Sequence, residues 1–185
     1  MTPLDRLIQR WRIAKARRYI PADARVLDVG SHDGVMLERL GTRIHDSVGI
    51  DVNATNRTEE RFRLVAGHFP DDLPDTGPFD AITMLAVVEH MQPAEQRAAA
   101  EASERLLAPG GKLVITTPSP MVDRILDVLE KLRLVHGMEL HQHYGFDPRR
   151  TPEIFATGVL APKTAKRFQF GLNYLFVFEK ASGSA

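Results

Sequence analysis

Val26-Leu-Asp-Val-Gly-Ser-His-Asp-Gly34 is the stretch on which the reading of the fold turns. Its first part, Val26 to Val29, is short, apolar and β-branched, the composition of a buried strand. Gly30 and Gly34 break that run. From Gly34 to Leu40 the apolar residues Val35, Met36, Leu37 and Leu40 recur at helical spacing, and Gly41 stops the pattern. A strand that opens into glycine-containing backbone and re-enters as a helix gathers N–H groups and a helix N-terminus at one point. Such a point suits a negatively charged or polar ligand group.

The chain downstream repeats the alternation. His45 to Asp51 holds Val48-Gly-Ile-Asp, a second buried strand closed by an acid. Asn53 to Glu60 is polar and predicts a helical segment. Phe62 to Ala66 predicts a short third strand, and Gly67-His-Phe-Pro-Asp-Asp-Leu-Pro reads as loop. Phe79-Asp-Ala-Ile-Thr-Met-Leu-Ala-Val-Val suits a central parallel strand buried on both faces. Pro93 to Leu107, opened by proline and stopped at Pro109-Gly-Gly, predicts a helix. Lys112-Leu-Val-Ile-Thr-Thr predicts a fifth strand, and Val122, Ile125, Leu126, Leu129 and Leu132 an amphipathic helix. His136 to Phe146 is the least regular part. Arg167-Phe-Gln-Phe and Tyr174-Leu-Phe-Val-Phe-Glu flank Gly171-Leu-Asn as a terminal antiparallel hairpin.

Residues 4–19 predict an amphipathic helix, with Leu4, Leu7, Ile8 and Trp11 on one stripe and Arg6, Arg10 and Arg17 on another face. The favoured reading packs that stripe on the sheet and lets the helix partly cover a ligand site. The alternative is an arm for a membrane surface or nucleic acid. Together these elements predict an α/β, Rossmann-like, doubly wound and mostly parallel seven-stranded sheet with a C-terminal antiparallel hairpin. One domain is expected over residues 1–180, comprising an N-terminal helix (1–20), the sheet and a substrate-side segment (119–150). A disordered tail is expected at 181–185. The ligand belongs outside the carboxyl ends of the strands, where their order reverses.

Composition narrows the function. Lys and Arg number 24, as do Asp and Glu, so no global field recruits long nucleic acid or an anionic surface. With no cysteine, disulfides and thiolate metal sites are excluded. Met-Thr-Pro-Leu-Asp-Arg begins no apolar run, so neither a signal peptide nor a membrane span is expected, and a cytoplasmic enzyme or binding domain is the default. Asp51, one strand beyond the glycine turn, stands where an acid in Rossmann-like folds accepts hydrogen bonds from ribose hydroxyls. Its plainer alternative is a cap on the next element.

Four stretches in order carry a family resemblance: Val26-Leu-Asp-Val-Gly-Ser-His-Asp-Gly, Val48-Gly-Ile-Asp, Phe79-Asp-Ala-Ile-Thr-Met-Leu-Ala-Val-Val-Glu-His-Met and Leu106-Leu-Ala-Pro-Gly-Gly-Lys-Leu-Val-Ile-Thr-Thr-Pro. Over residues 22–118 the chain resembles the class I S-adenosylmethionine (SAM)-dependent methyltransferases, in their ubiquinone-biosynthesis-like small-molecule branch. The resemblance implies SAM as cofactor. It implies that Gly30 and Gly34, with Ser31 and His32 between them, let backbone approach the methionine part. Asp28 would hold the amino group, Asp51 with Val52 the ribose, and Leu85 would offer backbone to the ammonium. Two positions depart from the family pattern. His32 stands where a glycine is usual, and His68, with Phe69 beside it, stands where an acid usually reads the adenine amine. His68 would accept from that amine and Phe69 lie against the ring, the alternative for Phe69 being core packing.

Methyl transfer from a sulfonium depends mainly on alignment, and a base is needed only for a hydroxyl or protonated amine acceptor. Glu89 and His90, after the fourth strand, are candidates for that role, as is His143, with His141 and Tyr144 near it. The plainer reading makes Glu89-His90 a pair that orders the loop. The resemblance also admits a metal: small-RNA 2′-O-methyltransferases hold a divalent ion with Glu-x-x-Glu-His and a later histidine. Glu89, His90 and His143 match three of those positions, but Ala86 replaces the first Glu, and no metal is the expectation. The expected activity is therefore methyl transfer from SAM to a small-molecule or sugar- or lipid-carried acceptor at oxygen. The short acceptor side would be left open or completed by a second copy in a homodimer. Alternatives are an inactive methyltransferase-like scaffold and a metal-assisted O-methyltransferase. A nicotinamide oxidoreductase ranks last, because Gly-x-Gly-x-x-Gly is missing.

Overall fold

The computed structural model describes residues 3–74, 77–119 and 146–182. In chain order these form α1 (Pro3–Ala16), β1 (Val26–Val29), α2 (Val35–Leu40), β2 (Ser47–Asp51), β3 (Arg57–Thr58) and β4 (Phe62–Ala66). There follow β5 (Phe79–Leu85), α3 (Pro93–Leu106), β6 (Leu107–Pro118), α4 (Thr151–Phe155), β7 (Leu160–Phe168) and β8 (Asn173–Lys180). The helix expected around Val122–Leu132, the irregular stretch to Tyr144 with His141 and His143, and residues 183–185 of the tail lie outside the described residues.

The strands form one sheet in the order β3-β4-β2-β1-β5-β6-β8-β7. β4, β2, β1, β5 and β6 run parallel, and β8 pairs antiparallel with both β6 and β7, as the hairpin signal at Gly171 predicts. The central parallel strands β1, β2, β5 and the later part of β6 are buried on both faces, which explains their continuous apolar runs, whereas β4 toward the edge alternates. On one face Leu27, Val29, Ile50, Ile82, Met84 and Ile115 pack with Ala99 and Leu106 of α3 and Phe155 of α4. On the other, Val26, Ala81, Val114, Leu175 and Val177 pack with Ile13 and Ala16 of α1 and Leu37 and Leu40 of α2. Among the described residues no helix is long and apolar enough to cross a membrane.

Three local expectations need correction. Residues 53–60 contain no helix. Arg57 and Thr58 pair antiparallel with Leu64 and Arg63, which gives the sheet eight strands rather than seven. The polar side chains there bond outward instead of along a helix: Asn56 Oδ1 accepts the Ala66 N–H at 2.7 Å, and an Arg57 Nη donates to Asp33 O at 3.1 Å and Glu38 Oε1 at 2.7 Å. Second, α3 hands over to strand directly, so β6 begins at Leu107 rather than Lys112. Third, α1 packs through Ile13 and Ala16, which are buried, while Leu7 and Trp11 of the expected core stripe are 58% and 39% exposed. Ile13 and Ala16 join the core on this face of the sheet, and Leu7 and Trp11 are turned outward.

Candidate functional site

Chain order reverses at β1, which lies between β2 and β5. The crevice of a doubly wound sheet opens outside the carboxyl ends at such a point. The sequence brings Asp28, Gly30, Ser31, His32, Gly34, Asp51, Val52, Leu85, Glu89 and His90 to this edge, while a separate cavity lined by Arg25, Ser47, Arg61 and Arg63 sits at the opposite, amino-terminal edge.

Asp28 is 3% exposed on β1 and lies in register with Thr83 of β5. Burial pushes its carboxyl pKa up to about 7; the Thr83 hydroxyl, which donates to Oδ1 at 2.6 Å, pulls it down, and the neighbouring Asp51 charge pushes it up again. A buried acid poised near neutrality can take a proton or accept a cation from a ligand.

Beyond β1 the backbone turns sharply. Gly30 has φ +76° and Gly34 φ +81°, conformations favouring glycine. The Gly30 N–H donates to Ile50 O at 2.8 Å, and a Cβ there would fall 2.3 Å from Val87 Cγ2. Bare backbone is thus required at that turn by packing as well as by conformation. His32, where the family that the sequence resembles prefers glycine, also takes positive φ (+46°), with its side chain 67% exposed and its N–H donating to Asp51 Oδ2 at 3.2 Å. The loop accepts the imidazole by sending it to solvent. Ser31 is buried, and its hydroxyl has no hydrogen-bond partner among the described residues. An orphaned buried donor at this turn fits a site built for a polar ligand.

Asp51 ends β2. Its Oδ1 accepts the Asn53 N–H at 2.7 Å and its Oδ2 the His32 N–H, so the carboxylate is oriented while lone pairs remain for further donors. Val52 beside it is 53% exposed, an apolar surface at the rim. His68 follows β4 with its backbone in a local turn, its N–H donating to Asp72 Oδ2 at 2.8 Å. Phe69 packs, half-buried, against the α3-side core.

Leu85 closes β5, and Ala86 next to it has φ +61° and donates its N–H to Thr116 O at 2.8 Å. Val88–His90 forms a 3-10 turn with Glu89 buried and His90 exposed. Gln96 of α3 fixes that turn by donating to Val88 O at 3.2 Å and Met91 O at 3.0 Å.

The sequence reading missed three participants. Thr83 was visible as a hydroxyl in an apolar strand, but its partner was not. Arg12 and Asn173 carry no local signal. Arg12 Nε donates to Asn173 Oδ1 at 3.0 Å, Asn173 bonds in turn to Gln169, and Gln169 donates to Ile8 O at 3.2 Å. This ties α1 to the β7–β8 turn. Burial lowers the Arg12 pKa, and the nearby Glu89 charge raises it again. Of the metal reading's residues, Glu89 and His90 adjoin, while His143 lies outside the described residues; among the described residues no three His, Asp or Glu side chains converge.

The profile of a family described as methyltransferase domain matches residues 4–152. A ubiquinone biosynthesis O-methyltransferase of Psychrobacter cryohalolentis is 30% identical over 108 residues, which is 52% of this chain and 41% of the relative. The match thus spans less than half of that relative's length. Among solved structures, N-methyltransferase NodS from Bradyrhizobium japonicum WM9 in complex with S-adenosyl-L-homocysteine superposes with a TM-score of 0.68 at 20% identity, covering 92% of this chain and 86% of that one. The 1,6-didemethyltoxoflavin-N1-methyltransferase of Burkholderia thailandensis superposes with a TM-score of 0.68 at 19% identity, covering 93% and 77%. At such identities the superpositions speak for the fold.

Proposed function

The chain belongs to the methyltransferase domain family, and on that premise we propose that it uses S-adenosylmethionine as its cofactor to methylate an oxygen of a small-molecule or sugar- or lipid-carried acceptor. One observation carries the reading. A buried acid near neutral pKa, a bare glycine turn and an oriented second acid, Asp28, Gly30 and Asp51, converge at the switch point of the sheet. Those two carboxylate acceptors, with bare backbone between them, match a ligand with an ammonium at one end and ribose hydroxyls at the other.

When bound, SAM supplies a methyl group already activated on a sulfonium, so the protein's task is alignment. In this reading Asp28, ionised, and the Leu85 carbonyl hold the ammonium. Gly30, Ser31 and Gly34 let backbone approach the methionine part, and Ser31 Oγ gains a partner there. Asp51 takes the ribose hydroxyls through the lone pairs left by Asn53 and His32, with Val52 under the ribose rim. In the same reading His68 serves the adenine end, and Phe69 contributes through packing. A hydroxyl acceptor would lose its proton as its oxygen takes the methyl group, the S–CH3 bond breaking to leave the sulfonium as a neutral thioether. His90, exposed on the turn after β5, takes that proton, and Glu89 positions the turn through its charge interaction with Arg12. His143 is the second candidate base. Oxygen as the acceptor atom is supported by the name of the ubiquinone-biosynthesis relative and by these histidines.

Titration calorimetry with SAM and S-adenosylhomocysteine, followed by methyl transfer from labelled SAM to hydroxylated acceptors, tests the proposal. Saturable binding, lost in Asp51→Ala, together with a labelled ether product is expected. No measurable SAM binding overturns it. Binding without turnover across oxygen, nitrogen and sulfur acceptors would favour a scaffold role.

A further inference from the structure

The outward face of α1 is apolar where the inward face already satisfies the core. Leu7 and Trp11, one helical turn apart, lie opposite Ile13 and Ala16 and are 58% and 39% exposed. Phe170, at the turn between β7 and β8, is 92% exposed on left-handed backbone (φ +56°), and its ring meets Trp11 edge-on with centroids 6.2 Å apart. A bulky aromatic held out on strained backbone does nothing for the core, and contiguous exposed apolar side chains mark a contact surface.

The charge around this patch is one-sided although the whole chain is balanced. Arg6, Arg10, Arg12, Lys15, Arg17 and Arg18 follow Asp5 with no acid before Asp23. Arg6, Arg10, Arg17 and Arg18 are exposed, as are Lys166 and Arg167 on the strand leading to Phe170. Apolar side chains at the centre with guanidinium groups around them match the layering of a bilayer interface: acyl boundary first, anionic headgroups just outside. Nucleic acid would use the cations and stack on the rings, but it has no use for the protruding aliphatic Leu7.

We propose that α1 and the β7–β8 turn dock on an anionic lipid surface, with Leu7, Trp11 and Phe170 entering the headgroup boundary and the flanking arginines on lipid phosphates. The docking stands independently of the methyl-transfer reading. Its geometry matters for that reading all the same, because Asn173, at the base of the turn, pairs with Pro118 at the carboxyl end of β6. The docked face therefore borders the mouth of the site.

Trp11 is the only tryptophan of the chain, so its fluorescence reports on the patch directly. The full chain is titrated with vesicles of phosphatidylcholine alone and of phosphatidylcholine with phosphatidylglycerol, and co-sedimentation is measured in parallel. A blue shift and co-sedimentation with the anionic vesicles, weakened by salt, are expected. Phe170→Ser and Leu7→Ser, both at exposed positions, are each expected to weaken vesicle binding about tenfold with unchanged thermal unfolding. Arg6→Glu with Arg10→Glu should abolish it. No binding to anionic vesicles overturns the proposal, and so does binding that the Leu7→Ser/Phe170→Ser double variant leaves intact. Two further results overturn it when vesicles are ignored: Phe170-dependent binding of a duplex oligonucleotide, or a Phe170-dependent dimer in sedimentation equilibrium.

Discussion

Thr83 Oγ1 donates to Asp28 Oδ1 at 2.6 Å, the two residues standing side by side in register on the parallel strands β5 and β1. Both are buried, so the pair is a polar contact inside the apolar sheet, at the point where the site begins. Burial lifts the Asp28 pKa from 3.8 to about 7, and the Thr83 bond limits that rise. The pair sets when Asp28 adds its own negative charge to that of Asp51 in the site.

Folding stability should register this. Because the folded-state pKa lies above the unfolded value, folded Asp28 keeps a proton over the window from about 4 to about 7 that the unfolded chain has released. Stability contributed by this group is full below that window and is lost as pH rises through it, levelling off above about 7. Denaturant unfolding of the ligand-free protein from about pH 5 to about pH 8 should show this decline, and Asp28→Asn should flatten it.

Ligand affinity should run the other way. An ammonium needs the ionised carboxylate, so SAM affinity should rise with pH toward a plateau above about 7, changing by up to about tenfold per pH unit below it. Thr83→Val keeps the volume but removes the donor that favours the ionised form. Its affinity profile should move to higher pH, with the plateau affinity nearly unchanged. Calorimetry across the pH range measures both, and an unshifted profile would remove Thr83 from the site.

Gly30 should tolerate no side chain. Gly30→Ala places an L-residue at φ +76° and a methyl group 2.3 Å from Val87 Cγ2, a γ-carbon on a stiff β-branched residue. Left-handed strain and overpacking together should cost about 2–4 kcal/mol of stability. SAM binding should be lost even where the protein still folds, since Val87 begins the bend toward Glu89 and His90. Chemical denaturation and calorimetry separate the two effects.

What could be read from the chain divides along a physical line. Asp28, Gly30 and Asp51 were legible because a strand, a glycine break and a following strand are local patterns, and topology then brings their ends together. Residues 53–60 were misread because local polarity suggested a helix, while Asn56 and Arg57 found partners on neighbouring elements. The outward turn of Leu7 and Trp11 was hidden for a related reason: an apolar stripe does not say which face meets the core. Arg12 and Asn173 are 161 residues apart, and only the closing of β8 onto β6 brings them together. No window of sequence contains such a contact.

His32 makes the sharpest test of what a departure from a family pattern means. Its side chain faces solvent, and the group that serves the loop is its N–H on Asp51 Oδ2. Glycine supplies the same N–H and takes φ +46° without strain, but it adds freedom to the unfolded chain. These effects oppose one another, so His32→Gly should change stability by less than about 1 kcal/mol. It should leave the SAM dissociation constant within about threefold, whereas His32→Pro, which removes the N–H and forbids positive φ, should abolish binding. A marked loss of affinity in His32→Gly would mean that the imidazole itself touches the ligand, and the loop would then be read through its side chain instead of its backbone.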